Sequence, residues 1–219
     1  MPVWIENSRV ESEVAMSRLF SVRPALTLKG RAFHGIRGWA GKPTHPPLTD
    51  FPIVCYVLTA VFDVISFVGH GGSEGSVRPF ARDFFVASTY VIIAGAIVSL
   101  AAALTGFWDW WKGIDRDATG PLGRAKHTQV WRTINTHMAI MLTVTAIAVV
   151  DIVVRLVGFE TGYATVGVMT LSIAAGLFVA IGAAFGGSLV FDYQFNVNSL
   201  EGSTAWDETE LDQTPDKST

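Results

Sequence analysis

Residues 84–107 read FFVASTYVIIAGAIVSLAAALTGF. The stretch contains no Asp, Glu, Lys, Arg or His, and it lacks the apolar–polar alternation of a half-buried strand. A helix needs about 20 apolar residues to cross roughly 30 Å of hydrocarbon. Lipid offers no partner to a free backbone amide or carbonyl, so a run of this kind crosses as a helix. Phe51–Val68, Ile134–Val150 and Ala164–Val190 carry the same signature. The expected fold is therefore all-α, an integral membrane up-down bundle of four transmembrane helices. Its spans lie near residues 51–68, 84–107, 134–157 and 164–190.

Composition agrees with this. Half of the 219 residues are hydrophobic and only 16% are charged, against about 25% in a soluble domain. The net charge of −3 says little, because the charge is unevenly placed. Arg9, Arg18, Arg23, Lys29, Arg31, Arg37 and Lys42 precede the first span. Lys112, Arg116, Arg124, Lys126 and Arg132 surround the connection between spans two and three, whereas the opposite face has Arg78, Arg82 and Arg155. Basic loops stay in the cytoplasm. Both termini are thus expected on the cytoplasmic side of a bacterial or archaeal cytoplasmic membrane. The first 20 residues include Glu6, Glu11 and Glu13 and no apolar core, so the first span, not a cleaved signal, is expected to direct insertion. Cys55 is the single cysteine, which excludes an internal disulfide framework and a cysteine metal site.

Three regions follow. Residues 1–44 form a cytoplasmic lead-in, where Ser8 to Glu11 reads as a capping box and Val10, Val14 and Leu19 suit a short surface helix. Residues 45–195 form the transmembrane domain, and residues 196–219 an acidic tail with the composition of a disordered segment. Pro43, Pro46 and Pro47 are expected to keep the chain non-helical up to Asp50, an N-cap with Pro52 just inside the helix. Trp108, Trp110, Trp111 and Trp131 bracket the second connection, as indoles do at headgroups. Beyond the turn at Thr119-Gly120-Pro121, a helix is expected from Leu122 into span three. Small residues recur at every fourth position, at Gly95, Ser99 and Ala103 in span two and at Ser172, Gly176, Ala180, Ala184 and Ser188 in span four. They predict close helix packing.

An even number of crossings returns His45, Asp50, Asp109, His127, Arg132 and His137 to one membrane face. His45, His137 and Asp109 lie at nearly one depth on three helix ends, and bundles build sites between helices. The pattern leaves three readings open. The two imidazoles could be axial ligands of one b-type haem. Together with Asp109 they could bind a divalent metal instead. With no cofactor at all, they would form a hydrogen-bond network fixing the helix ends. His70 is the one histidine near the opposite face, so a second bis-histidine haem is not expected there. His34, His70 and His127 read as ordinary surface or structural histidines. Asp63 falls inside span one, while Asp151 and Arg155, four residues apart, can pair on span three. Asp63 joining Arg155 would clamp spans one and three; a proton path is the sharper alternative.

The ordered motifs resemble the DUF2231 family of small predicted membrane proteins. They begin with His45-Pro46, Phe51-Pro52 and Asp63, and continue with Thr105-Gly106-Phe107-Trp108-Asp109 and Asn135-Thr136-His137. Arg155 and Gly186-Gly187-Ser188-Leu189-Val190-Phe191 complete the set, with Phe191 where that family more usually has tyrosine. The resemblance covers about residues 45–195. It implies four transmembrane helices and no established activity. Some relatives are joined to Rieske-type iron–sulfur domains, which by analogy implies a respiratory or redox setting. A Rieske centre needs two cysteines and two histidines, and this chain has one cysteine.

The leading functional expectation is a membrane redox component, not an enzyme by itself, with one b-type haem or a divalent metal at its cytoplasmic face. The competing class is an accessory membrane subunit whose polar residues only hold helices, and a small transporter or proton conductor comes third. Expected partners are membrane lipid and a respiratory or redox membrane protein or further copies of the chain. No nucleic acid is expected, because there is no concentrated basic face, phosphate loop or nucleophile elbow.

Overall fold

The computed structural model describes residues 34–38, 43–72, 76–113 and 128–197. The capping box, His127, the turn at Gly120 and the acidic segment from Glu201 lie outside the described residues. Among the described residues four long helices form in order: α1 (His45–Gly69), α2 (Pro79–Gly113), α3 (Gln129–Val157) and α4 (Val166–Phe191). A single 3-10 turn, Phe159–Thr161, joins α3 to α4. All four are long and apolar enough to cross a membrane. At 1.5 Å per residue the shortest, α1, spans about 37 Å, more than the hydrocarbon core.

The helices start where local chemistry lets them. Thr128 and Thr165 cap α3 and α4, their hydroxyls accepting the amides of Trp131 at 3.2 Å and Val168 at 3.4 Å. Helix α3 runs from Gln129 among the described residues, and the stretch 122–127, where the sequence places the start of a helix, lies outside them. Helix α1 begins at His45, five residues before the expected cap at Asp50. Pro46 and Pro47 therefore sit in its first turn, where a missing amide has no intrahelical acceptor to lose. Asp50 is a helical residue on the exposed side, and Pro52 is buried inside the helix.

Helix α1 packs on α2 and α4, and α3 packs on α4 and, more thinly, on α2. In this four-cornered arrangement α1 and α3 stand on one diagonal. They run parallel, because the first turns of both lie beside the last turns of α2 and α4. Tyr56, Ile92, Val144, Ala148 and Val179 form the central cluster, with contributions from all four helices. Gly95 lets α1 come close to α2: a Cβ there would stand 2.7 Å from the Cβ of Cys55. Val54, Leu100, Leu104, Val153, Leu177 and Ile181 are exposed. So much outward apolar surface suits lipid and not water.

The small-residue stripe of α4 is only partly an interface. Its buried face is Val168, Ser172, Ala175, Val179, Gly182 and Leu189, whereas Ala180 and Ala184 are exposed. Steps of four residues advance 400°, so each drifts about 40° around a helix of 3.6 residues per turn. The stripe leaves the interface after two steps. Steps alternating between three and four stay on it.

Candidate functional site at the imidazole end

His45, the first residue of α1, and His137, two turns into α3, face each other across the diagonal. Their ring centroids are 6.4 Å apart and their planes nearly perpendicular, at 85°. Each ring is tied to a neighbouring helix. Nδ1 of His45 lies 2.9 Å from the Ala102 carbonyl, with Thr105 Oγ1 at 3.3 Å, and Nδ1 of His137 lies 2.8 Å from the Gly182 carbonyl. A carbonyl only accepts, so both Nδ1 atoms carry the proton and both Nε2 atoms keep a lone pair. Outer bonds of this kind fix the tautomer and orientation of ligating histidines.

Two glycines make room for the rings. A Cβ on Gly106 would stand 2.6 Å from Cε1 of His45, and one on Gly186 3.1 Å from Cε1 of His137. Beside the rings lies a cavity of about 540 Å³, walled by residues such as Ser99, Ala102, Met141, Thr145 and Ala183. Its volume falls in the range of small-molecule and cofactor sites, which are mostly apolar with a few placed polar groups.

Asp109 lines the same cavity but is otherwise engaged. Its Oδ1 accepts the amide of Ile36 at 2.7 Å, and its carbonyl accepts the side-chain amide of Asn196 at 3.0 Å. Asn196 has φ of 58°, a left-handed conformation that asparagine tolerates better than most residues. Asp109 thus clasps the segments before α1 and after α4 onto the end of α2. Among the described residues no group of three or more His, Cys, Asp or Glu is placed to hold a metal ion. Asp109 shares the depth of the imidazoles as a wall of the cavity, with its carboxylate turned to the Ile36 amide. Sequence spacing sets depth along a helix but not the partner a carboxylate turns to.

The other end of the same diagonal holds the remaining ionisable residues. Arg155 is fully buried between Asp63 and Asp151, its Nη2 2.7 Å from Asp63 Oδ2 and 2.8 Å from Asp151 Oδ2. Its Nε donates to Asp151 Oδ1 at 3.2 Å, and its Nη1 to Ser88 Oγ at 2.9 Å. Ser88 in turn donates to Asp63 Oδ1 at 2.5 Å. The guanidinium joins α1, α2 and α3 with its donors engaged, as a charge inside hydrocarbon requires. Ser66 adds a tie at this level, donating to the Ala81 carbonyl at 2.7 Å and accepting the Ala164 amide at 3.1 Å.

These two polar layers have matching spacing. Eighteen residues separate His45 from Asp63, and eighteen separate His137 from Arg155. That is five whole turns and about 27 Å, so each pair lies on one face of its helix. Midway, the Tyr56 hydroxyl lies 2.8 Å from Ser99 Oγ. Spans and motifs alone do not single out Gly106, Gly186, Ser88, Thr89 or Tyr56 as neighbours of these layers. Counting in whole turns from the histidines and from Arg155 is the signal that finds their level. His34 is exposed, and His70 stacks on Tyr163 at 4.2 Å and bonds to the Phe67 carbonyl, far from the imidazole pair. Arg132 is exposed.

A family model described as a predicted membrane protein, DUF2231, matches residues 41–199. No curated protein and no solved structure matches the chain.

Proposed function

The chain belongs to the DUF2231 family of predicted membrane proteins. We propose that it is a membrane redox component holding one b-type haem between His45 and His137. The observation that carries this reading is the separation of the two rings. A metal–imidazole bond of about 2.0–2.1 Å, plus about 1.1 Å from nitrogen to ring centre, puts imidazoles on opposite sides of one iron about 6.3 Å apart. A tetrahedral arrangement would bring the centres to about 5 Å. The observed 6.4 Å fits the first case.

The surroundings support the same reading. Both Nδ1 atoms are committed to carbonyls, which leaves Nε2 as the ligating nitrogen on each side. The cavity is large enough for a cofactor, and glycine and alanine are among its lining residues. A bound haem would supply one-electron chemistry. The chain's own part is to hold two imidazoles, exclude water and orient the group relative to the membrane. Axial ligation and burial are the levers a protein has over such a group's potential. The excess of lysine and arginine around this end supports a cytoplasmic location for it and for both termini. Electron donor and acceptor would then be membrane partners.

The accessory-subunit reading has its own support in the buried triad, which stabilises the bundle without needing any cofactor. A reduced-minus-oxidised visible spectrum of protein purified from haem-sufficient cells separates the two. A Soret band in the wild type that is lost in His137→Ala is the expected outcome. A colourless wild type that also fails to take up added haem would leave the helix-clamping subunit.

A further inference from the structure

An indole N–H can only donate, and buried indoles in folded proteins find an acceptor. Among the described residues, two buried side-chain polar atoms lack any partner: Nε1 of Trp110 and Oγ1 of Thr44. Both belong to the imidazole end. Thr44 precedes His45 and makes no capping bond of its own. Trp110 follows Gly106, the glycine against His45, by four residues on α2 and walls the same cavity.

Its position along the bundle is informative. One turn beyond Gly106 is about 6 Å further toward the end of α2. There Asp109 already receives a backbone amide, and α2 stops at Gly113. Trp110 is therefore at the rim, where the apolar cavity gives way to polar chain. Its ring is held by Phe107 at 5.6 Å and Trp131 at 6.1 Å between centroids. An aromatic ring fixed on two sides keeps its N–H in one direction. Leaving that donor buried and unmet costs free energy that an acceptor on a bound molecule would recover.

We infer that Trp110, through this N–H, receives a carboxylate on the polar edge of the molecule held between His45 and His137. The inference rests on the haem reading and adds an orientation to it. A b-type haem carries both of its carboxylates on one edge. Held between the imidazoles, such a group would turn that edge toward the end of α2 and water, and its opposite edge, which bears only methyl and vinyl groups, toward the bundle interior. The required bond is charge-assisted, the stronger class of hydrogen bond.

The test uses full-length protein in nanodiscs, titrated with haem and separately with haem dimethyl ester, and followed by the Soret band. In the wild type, haem should bind about tenfold more tightly than the ester, the worth of one charge-assisted bond. Trp110→Phe should lose about tenfold for haem and leave the ester nearly unchanged, so that the preference disappears. Equal weakening of both ligands by Trp110→Phe, or a wild type that binds both equally, overturns the inference while the haem site stands. A wild type that binds neither overturns the haem site itself. Should Trp110→Phe not fold, Trp110→Leu takes its place with the same expected loss of preference, and a wild type that binds haem and ester equally overturns the inference on its own.

Discussion

Asp63 and Arg155, ninety-two residues apart in the chain, meet at 2.7 Å with no exposed surface on either side chain. Their helices stand diagonally, so the length of the arginine side chain closes a gap that backbones leave open. Removing one member of such a buried set is far more damaging than removing all of it. Arg155→Ala would leave two carboxylates facing each other and should cost about 3–5 kcal/mol. A variant in which Asp63, Asp151 and Arg155 are all replaced by apolar residues of similar volume should be near wild type. Thermal unfolding in detergent, followed by circular dichroism, measures both. If Arg155→Ala melts with the wild type, the clamp contributes nothing to stability.

Gly106 and Gly71 are a matched pair for testing the imidazole cradle. A Cβ at Gly106 would press on the His45 ring at 2.6 Å, whereas one at Gly71, beyond the far end of α1, meets nothing within 4 Å. Gly106→Ala should displace His45 and weaken or abolish any Soret band from added haem, and Gly71→Ala should leave it intact. Equal behaviour of the two variants would separate the cavity from the cofactor.

The orientation assigned from charge is open to labelling. Cys55 is buried, so the native protein should resist a membrane-impermeant maleimide. Lys112 and Glu160 are exposed at opposite ends of the bundle. Glu160→Cys should react in intact cells and Lys112→Cys only after lysis. The reverse pattern would turn the molecule over and move the imidazole end to the outer face.

The four helices are legible because hydrocarbon tolerates so few sequences: charge is excluded, alternation is absent and the runs are long. Helix starts are harder. Proline normally argues against helix, yet Pro46 and Pro47 fall in the first turn of α1, where that argument does not apply. Treating them as breakers puts His45 in a loop when it is the first helical residue. The depth of the site is readable by counting from span ends, and the His45–His137 proximity follows from it. Direction around the helix is not. Asp109 shares the level of the imidazoles but turns to Ile36, a residue in an irregular segment with no periodicity to read. The small-residue stripe fails for a related reason, since a period of four slides around a helix whose period is 3.6.

The equal spacing of the two polar layers has a mechanical meaning. One contact between parallel rods, the ion pair of Asp63 and Arg155, sets their offset; a second, the ring contact of His45 and His137 five turns away, also sets their twist. A slide of α3 by a single residue would swing His137 and Arg155 through 100° together, unpairing both ends at once. Because His45 is also held by α2, His137 by α4 and Arg155 by Ser88 of α2, such a slide would break ties to the neighbouring helices as well, and the register of α3 is set by the whole bundle.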